Sequence, residues 1–523
     1  MNNFEILGGM YMILQNVDWK HIQNGSDIRG VALDGVAGES VNLTIEVAYA
    51  IGQAFACWLE KKTGNEMSTL SVSVGRDSRL SGKTLENALM SGLASKGVKL
   101  TGFGIASTPA MFMSTVQEEN AFDGAIMITA SHLPFNRNGF KFFTAEGGLE
   151  KEDITAILEL AAKVDVPDKI EDVSADKLDF ISVYAAGLVD VIRRGAADPD
   201  NYDKPLTGLR ILVDAGNGAG GFFADKVLEP LGADTTGSQF LEPDGSFPNH
   251  IPNPEDKEAM ESVRQAVLQN NADLGIIFDT DVDRSSAVDA TGKEINRNRI
   301  IALMAAIVLE EHPGTTIVTD SITSDELKIF IESLGGVHHR FKRGYRNVIN
   351  ESIRLNNEGI DSQLAIETSG HGALKENYFL DDGAYMIAKI LIKTACLKRE
   401  GKTIDTMLAT LKDPAEAVEY RLNITETDFQ SAGKKILDAV EQASISKQGW
   451  QIVPDNYEGV RVSFDQDNGD GWFLIRMSLH DPILPLNIES RKQGGAKEIA
   501  AKIYDLLKDM SGIDLSLLEK ALN

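Results

Sequence analysis

Short, unbroken apolar runs punctuate this chain, and each gives way to a polar loop. LSVSVGRDS (70–78) and GAIMITASH (124–132) form one such pair, LRILVDAGNG (209–218) and DLGIIFDTD (273–281) a second. TTIVTDSIT (315–323) and LAIETSGH (364–371) form a third. Runs of this kind suit strands buried on both faces of a sheet. Helical periodicity lies between the members of a pair, as in AMESVRQAVLQN (259–270) and ELKIFIESL (326–334). Strands alternating with helices imply right-handed crossovers and parallel or mixed sheets. The pattern therefore predicts three similar α/β units, each presenting one functional loop at the end of a strand.

The last stretch reads differently. RLNIT (421–425), a helical DFQSAGKKILDAVEQA (428–443), QIVP (451–454), GVRVSF (459–464), WFLIRMSL (472–479) and a final helix predict a smaller α+β domain. Asn468-Gly469-Asp470-Gly471 is a hairpin turn between its two longest strands. In the strand that follows, alternation puts Phe473, Ile475, Met477 and Leu479 on a core face. Arg476, Ser478 and His480 then share the face toward solvent or ligand. The expected division is 1–200, 201–307 and 308–412 for the α/β domains and 413–523 for the α+β domain.

Composition narrows the function. The 523 residues leave room for deep cores, and the formal net charge of -27 sets nucleic acid aside as a partner. The run FEILGGMYMIL (4–14) lacks a basic leader and contains Glu5, and no stretch reaches the apolar length of a membrane helix. A cytoplasmic protein without a membrane partner is expected. Cys57 and Cys396 are isolated among apolar residues and read as buried free thiols.

Three polar loops carry the candidate chemistry. In TASHLPFNRNGFKFF (129–143), Ser131 leaves a strand beside His132, with Lys141 ten residues on: a nucleophilic oxygen, an imidazole donor and an ammonium donor. In IIFDTDVDRSS (276–286), Asp279, Asp281 and Asp283 project to one side of an extended backbone, and their convergence calls for a hard divalent cation, Mg²⁺ first. An EF-hand is rejected, because Arg284 and Ala290 stand where its glycine and glutamate belong. A solvated acidic turn is the plain alternative, against which Arg284 stands as a guanidinium able to bridge to phosphate oxygens. In QLAIETSGHGALKENYFLDDG (363–383), Glu367, Ser369 and His371 alternate as hydrogen-bonding groups suited to sugar hydroxyls.

Taken with GSDIRG (25–30), VGRDSRLSG (74–82), STPA (107–110), DAGNGAGG (214–221) and PDGSFPNHIPNPE (243–255), these loops resemble the α-D-phosphohexomutase family along nearly the whole chain. The resemblance implies four domains around a central cleft. It further implies interconversion of hexose 1- and 6-phosphates of glucose or mannose, through a phosphoserine enzyme and a hexose 1,6-bisphosphate. On it, Ser131 is the phosphoserine and shares Mg²⁺ with Asp279, Asp281 and Asp283. Lys141 and Arg29 serve proton transfer beside His132. The substrate set becomes Arg284, Gly344, Tyr345, Glu367, Ser369, His371, Arg476, Ser478 and His480. Mg²⁺ is the implied cofactor and hexose 1,6-bisphosphate the activator; the partner is a phosphorylated hexose, and the protein a monomer or homodimer.

One loop departs from the family pattern. Where RPSGTEP is usual, this chain has RMSLHDP (476–482), keeping Arg476 and Ser478. Arg491 and Lys492 are the nearest replacements for the missing downstream basic residue. A catalytically weak or inactive sugar-phosphate-binding homologue is the alternative reading, and a metal-dependent phosphatase a third.

Overall fold

The computed structural model describes residues 12–14, 17–117, 121–478 and 481–523. The chain forms two compact units, one of Met1–Ile300 with Ser369–Thr406, the other of Ile301–Thr368 with Met407–Asn523. Most of the N-terminal run 4–14 lies outside the described residues.

In the first unit, the strand Gly124–Ile128 is buried at all five positions, as its unbroken apolar run predicts. It pairs in parallel with Ser71–Arg76 on one side and antiparallel with Arg137–Thr144 on the other. Lys99–Ile105 extends the sheet in parallel beyond Ser71–Arg76, and Asp27–Val31 closes antiparallel on Arg137–Thr144. The helix Ile45–Thr63 starts where Thr44 accepts a hydrogen bond from Val47 N and stops at left-handed Gly64. It approaches the helix Gly82–Ala94 so closely that a Cβ on Gly92 would stand 2.0 Å from Tyr49 O. Only glycine allows that contact, which seals one face of the sheet.

A second sheet pairs Ile211–Asp214 in parallel with Leu274–Phe278, which turns back antiparallel into Ser285–Asp289. Phe278 lies opposite Ser285, so residues 279–284 must close a tight loop. The aspartates were expected on an extended backbone. They converge instead because this loop curls, with Val282 at φ 68°.

In the second unit, Thr316–Thr319 is flanked in parallel by Val337–Arg340 and Ser362–Ile366. In all three α/β domains the paired runs recognised in sequence are hydrogen-bonded parallel neighbours. The C-terminal sheet is antiparallel throughout, in the order Glu416–Asn423, Ile483–Ser490, Gly471–Ile475, Val460–Phe464, Trp450–Ile452.

The C-terminal domain corrects several expectations. The turn does join two antiparallel strands, but its longest strands are Glu416–Asn423 and Ile483–Ser490. Gly471–Ile475 is buried on both faces, with Trp472 and Leu474 as covered as Phe473 and Ile475, so no polar face exists within it. Arg476 and Ser478 lie past the strand's end, and Leu479 and His480 lie outside the described residues. Cys57 and Cys396 are free as expected, yet half-buried rather than buried. Among the described residues no helix is long and apolar enough to cross a membrane.

At the end of Ile211–Asp214, Asp214 lies 3.0 Å from His250 Nε2, while the other ring nitrogen lies 3.0 Å from Ile251 O. The Asp214 carboxylate and the Ile251 carbonyl both accept, so the protonated ring can donate to both. Burial disfavours that charge, but the Asp214 contacts outweigh it and the His250 pKa rises above its usual value. The stabilisation is therefore complete below about pH 6.5 and lost as pH rises through the elevated pKa. Thermal melts from pH 6 to 9 should show Tm falling more steeply in wild type than in His250→Gln; parallel profiles would refute this pairing.

Candidate active site

Ser131 is the first residue to leave the central strand's loop with a left-handed backbone, at φ 49°. A non-glycine residue pays for that conformation, and here the surroundings impose it. The Ser131 N–H donates to Thr129 Oγ1 at 2.9 Å, turning the loop. Beneath it lies Arg79, 1% exposed, whose guanidinium donates to the carbonyls of Ser131, Leu133 (2.6 Å), Pro134 (2.8 Å) and Arg137 (2.9 Å). Asp77 accepts from Arg79 N at 2.9 Å, and the ring of Phe247 caps the guanidinium at 5.3 Å. One buried cation thus fixes the whole 131–137 turn.

The Ser131 hydroxyl donates to Asp279 Oδ2 at 2.7 Å. Thr108 donates to Asp281 Oδ2 at 2.5 Å, and Lys141 Nζ bridges Asp281 Oδ2 at 3.1 Å and Asp283 Oδ2. All three aspartates are 0% exposed, with one ligand oxygen from each within 4.8 Å of the others. Burial and the two neighbouring carboxylates push Asp279 well above the usual range. Burial opposes ionisation of the other two as well. Lys141 and Thr108 prevail at Asp281, and Lys141, His371 and Arg284 at Asp283, so both are held low.

The donor set fits a divalent metal. Asp281 Oδ1 and Asp283 Oδ1 are buried and accept no hydrogen bond, which is costly unless a cation takes their lone pairs. Lys141, between Asp281 and Asp283, and Arg284, with Nε 3.8 Å from Asp279 Oδ2, leave one of the three carboxylate charges unbalanced.

Cationic and imidazole groups surround Ser131. Arg284 Nη2 donates to His132 Nδ1 at 2.8 Å and lies 3.5 Å from Ser131 Oγ. A guanidinium only donates, so His132 Nδ1 is an acceptor there, not the donor expected. Arg284 first, then burial, lowers the His132 pKa to about 2, which keeps the ring neutral. Arg29 pairs with Asp27 at 2.9 Å, and its charge helps lower both His132 and Asp281. His371 Nδ1 lies 2.5 Å from Asp381 Oδ2 and 3.9 Å from Asp283 Oδ1. Ser369 is buried on the same segment.

In the second unit, Glu367 Oε1 accepts from Gly344 N at 2.6 Å. Gly344, at φ 115°, begins the helix Tyr345–Asn357, so Tyr345 occupies its first position. Arg476 lies 3.6 Å from Glu458 Oε1, and Ser478 Oγ accepts from Asp481 N at 3.3 Å. Arg491 is taken up by Glu326. His480 lies outside the described residues.

The sequence reading did not single out Arg79, Thr108, Phe247 or Asp381. Arg79, Thr108 and Phe247 lie within family-like motifs (VGRDSRLSG, STPA, PDGSFPNHIPNPE) and Asp381 within the loop 363–383, so the signal is present without a role attached.

Known proteins are similar to this chain over most of its length. Residues 20–167, 193–292 and 296–413 match alpha/beta/alpha domains I, II and III of phosphoglucomutase/phosphomannomutase. The phosphomannomutase/phosphoglucomutase of Pseudomonas syringae pv. tomato is 31% identical over 488 residues, covering 93% of this chain and 94% of the relative. The chain belongs to the phosphoglucomutase/phosphomannomutase family. The Pseudomonas aeruginosa PAO1 phosphomannomutase/phosphoglucomutase is 31% identical over 94% of this chain and 97% of its own. The crystal structure of a phosphoglucomutase/phosphomannomutase family protein from Burkholderia thailandensis superposes with a TM-score of 0.74 at 28% identity, covering 94% of this chain and 98% of that one. The three α/β/α domains and the fourth, sheet-rich domain are the family's fold.

Two outcomes follow from this geometry. Arg79→Lys cannot reach four carbonyls from one ammonium, and it should lower stability by about 3 kcal/mol while loosening the Ser131 turn; an unchanged denaturation midpoint would count against the clamp. Asp281→Asn should weaken Mg²⁺ binding at least about tenfold in calorimetric titration, because the amide keeps shape but loses charge at a hard-cation site.

Proposed function

We propose that this family member is a phosphohexomutase that interconverts hexose 1-phosphate and hexose 6-phosphate, taking glucose or mannose as the sugar. The observation that carries the reading is the Ser131 hydroxyl 2.7 Å from Asp279, in the carboxylate cluster that Lys141 bridges through Asp281 and Asp283. A nucleophilic oxygen, a carboxylate cluster and a buried ammonium are what phosphoryl transfer through serine requires.

In the first half-reaction the phosphoryl group leaves Ser131 Oγ for the free hydroxyl of a bound hexose monophosphate. The phosphorus–serine oxygen bond breaks as the phosphorus–sugar oxygen bond forms. The sugar hydroxyl loses a proton and Ser131 Oγ gains one. The resulting hexose 1,6-bisphosphate turns over, and its other phosphate returns to Ser131 by the reverse chemistry. Ser131, Asp279, Asp281 and Asp283 would hold a divalent ion, Mg²⁺ in our reading, which when bound would supply charge neutralisation at the phosphoryl group.

Lys141, poised between Asp281 and Asp283, is the group that holds or gives the proton at the reacting oxygens. Arg29 contributes as a fixed positive charge, since a guanidinium keeps its proton. His132, kept neutral by Arg284, orients that arginine toward Ser131 Oγ. Arg284 and His371 then face phosphate and sugar, Glu367 and Ser369 take sugar hydroxyls, Gly344 and Tyr345 shape the turn beside Glu367, and Arg476 with Ser478 anchors the phosphate that is not transferred.

We further propose that hexose 1,6-bisphosphate primes Ser131, that domain limits fall near 200, 307 and 412, and that the protein is cytoplasmic. The intact Ser131–Asp279 and Lys141 contacts favour turnover over a non-catalytic sugar-phosphate-binding protein.

A coupled assay with glucose 1-phosphate and mannose 1-phosphate, with and without the bisphosphate, tests the activity. Ser131→Ala should lower turnover by about a thousandfold or more with the fold intact, and intact-mass analysis should show the phosphate gone. Phosphate retained at wild-type stoichiometry would overturn the assignment.

A further inference from the structure

Arg476 stands just past the end of Gly471–Ile475, its N–H still donating to Pro485 O at 3.1 Å. Its side chain is 11% exposed, and burial works against its charge. Such a guanidinium needs something to aim it, and the candidate is Glu458, 14% exposed and just before the strand Val460–Phe464.

Glu458 is fixed from both sides of its carboxylate. Oε2 accepts from the Ser321 hydroxyl at 2.5 Å and from Arg343 N at 3.1 Å. The remaining oxygen, Oε1, lies 3.6 Å from Arg476 Nη1. That separation is an ion pair without a hydrogen bond. A two-pronged grip would have consumed the donors that phosphate requires. Here Nη1 makes only a 3.4 Å contact with Met477 O, and Nε is buried with no hydrogen-bond partner. The edge carrying Nε is thus left to an anion.

The same carboxylate reaches the sugar side. Arg343, whose N–H it holds, precedes Gly344, whose N–H donates to Glu367 Oε1 at 2.6 Å. One side chain ties the turn beside the hydroxyl-binding glutamate to the arginine at the strand's end.

We infer that Glu458 is a positioning residue that aims Arg476 at the non-transferred phosphate and sets its spacing from Glu367. The inference rests on the phosphate-anchoring role proposed above for Arg476. Glu458 is held by its two hydrogen bonds and pairs with Nη1 rather than Nε, so on this inference its loss weakens phosphate binding rather than strengthening it.

The test is a cycle of Glu458→Gln, Arg476→Ala and the double variant, read as KM and kcat with glucose 1-phosphate and as the affinity for glucose 1-phosphate by calorimetry. Glu458→Gln keeps the size of the side chain and one accepting oxygen, but presents either an amide or an uncharged carbonyl to Arg476. It should raise KM about tenfold with kcat changed less than about threefold, and add little in the Arg476→Ala background. A purely structural role would instead lower the fraction of active protein and leave KM alone. If Arg476→Ala raises KM and Glu458→Gln does not, or if their effects simply add, the positioning role is overturned while the phosphate anchor stands. If neither variant moves KM or affinity, the anchor assignment falls and takes this inference with it.

Discussion

Three carboxylates without a single exposed atom's worth of solvent around them are the constraint on which the first unit is organised. At separations up to 4.8 Å, each like-charged pair repels by about 3–4 kcal/mol in an effective dielectric near 20. No local structure would tolerate that unaided. The loop therefore draws in Lys141 from the antiparallel strand of the other sheet, Thr108 from a helix start and the Ser131 hydroxyl from a strained turn. Each of these contacts crosses from the first α/β domain to the second. The charge problem of the aspartate loop is what brings the Ser131 hydroxyl to it.

That view also answers how a chain of net charge -27 can handle a phosphate dianion. A simple surplus of local cations does not account for it. Arg29 is paired with Asp27, Arg79 is spent on backbone carbonyls and Asp77, Lys141 on two aspartates, and Arg491 on Glu326. Capacity for an anion comes from charges held in place with one edge left open, and from the positive ion that the unsatisfied oxygens of Asp281 and Asp283 invite. Positioned charge is local and survives an acidic background, whereas diffuse charge does not.

The α/β domains were legible because their strands are buried on both faces, a state that writes itself as an unbroken apolar run. Gly124–Ile128, Leu274–Phe278 and Thr316–Thr319 all read directly, and the polar residues that end such runs drew the eye to Ser131 and Asp279. Geometry between loops was not legible. Nothing in the spacing of Arg79 says that it reaches four carbonyls more than fifty residues away, and nothing in TASH says that Arg284 turns His132 into an acceptor. Those are tertiary facts, and sequence supplied the residues without their partners.

The C-terminal domain misled for a different physical reason. Alternation is a guide only when one face of a strand meets water, and Gly471–Ile475 is covered on both, so its period carried no information about direction. Ile483–Ser490 was not among the strands read from the sequence, and it is an inner strand even though it carries Pro485. The structure resolves the conflict through the side on which the missing donor falls. Pro485 O accepts from Arg476 N and Ile483 O from Ser478 N, so pairing in the Ile475–Leu486 register carries on past Gly471–Ile475, and the proline's absent N–H removes only one bond from it. The pairing with Glu416–Asn423 on the opposite side runs unbroken through Arg421 and Pro485. The proline therefore costs the neighbouring strand a single bond at Arg476, whose backbone stays tied to Pro485 O while its side chain lies 3.6 Å from Glu458.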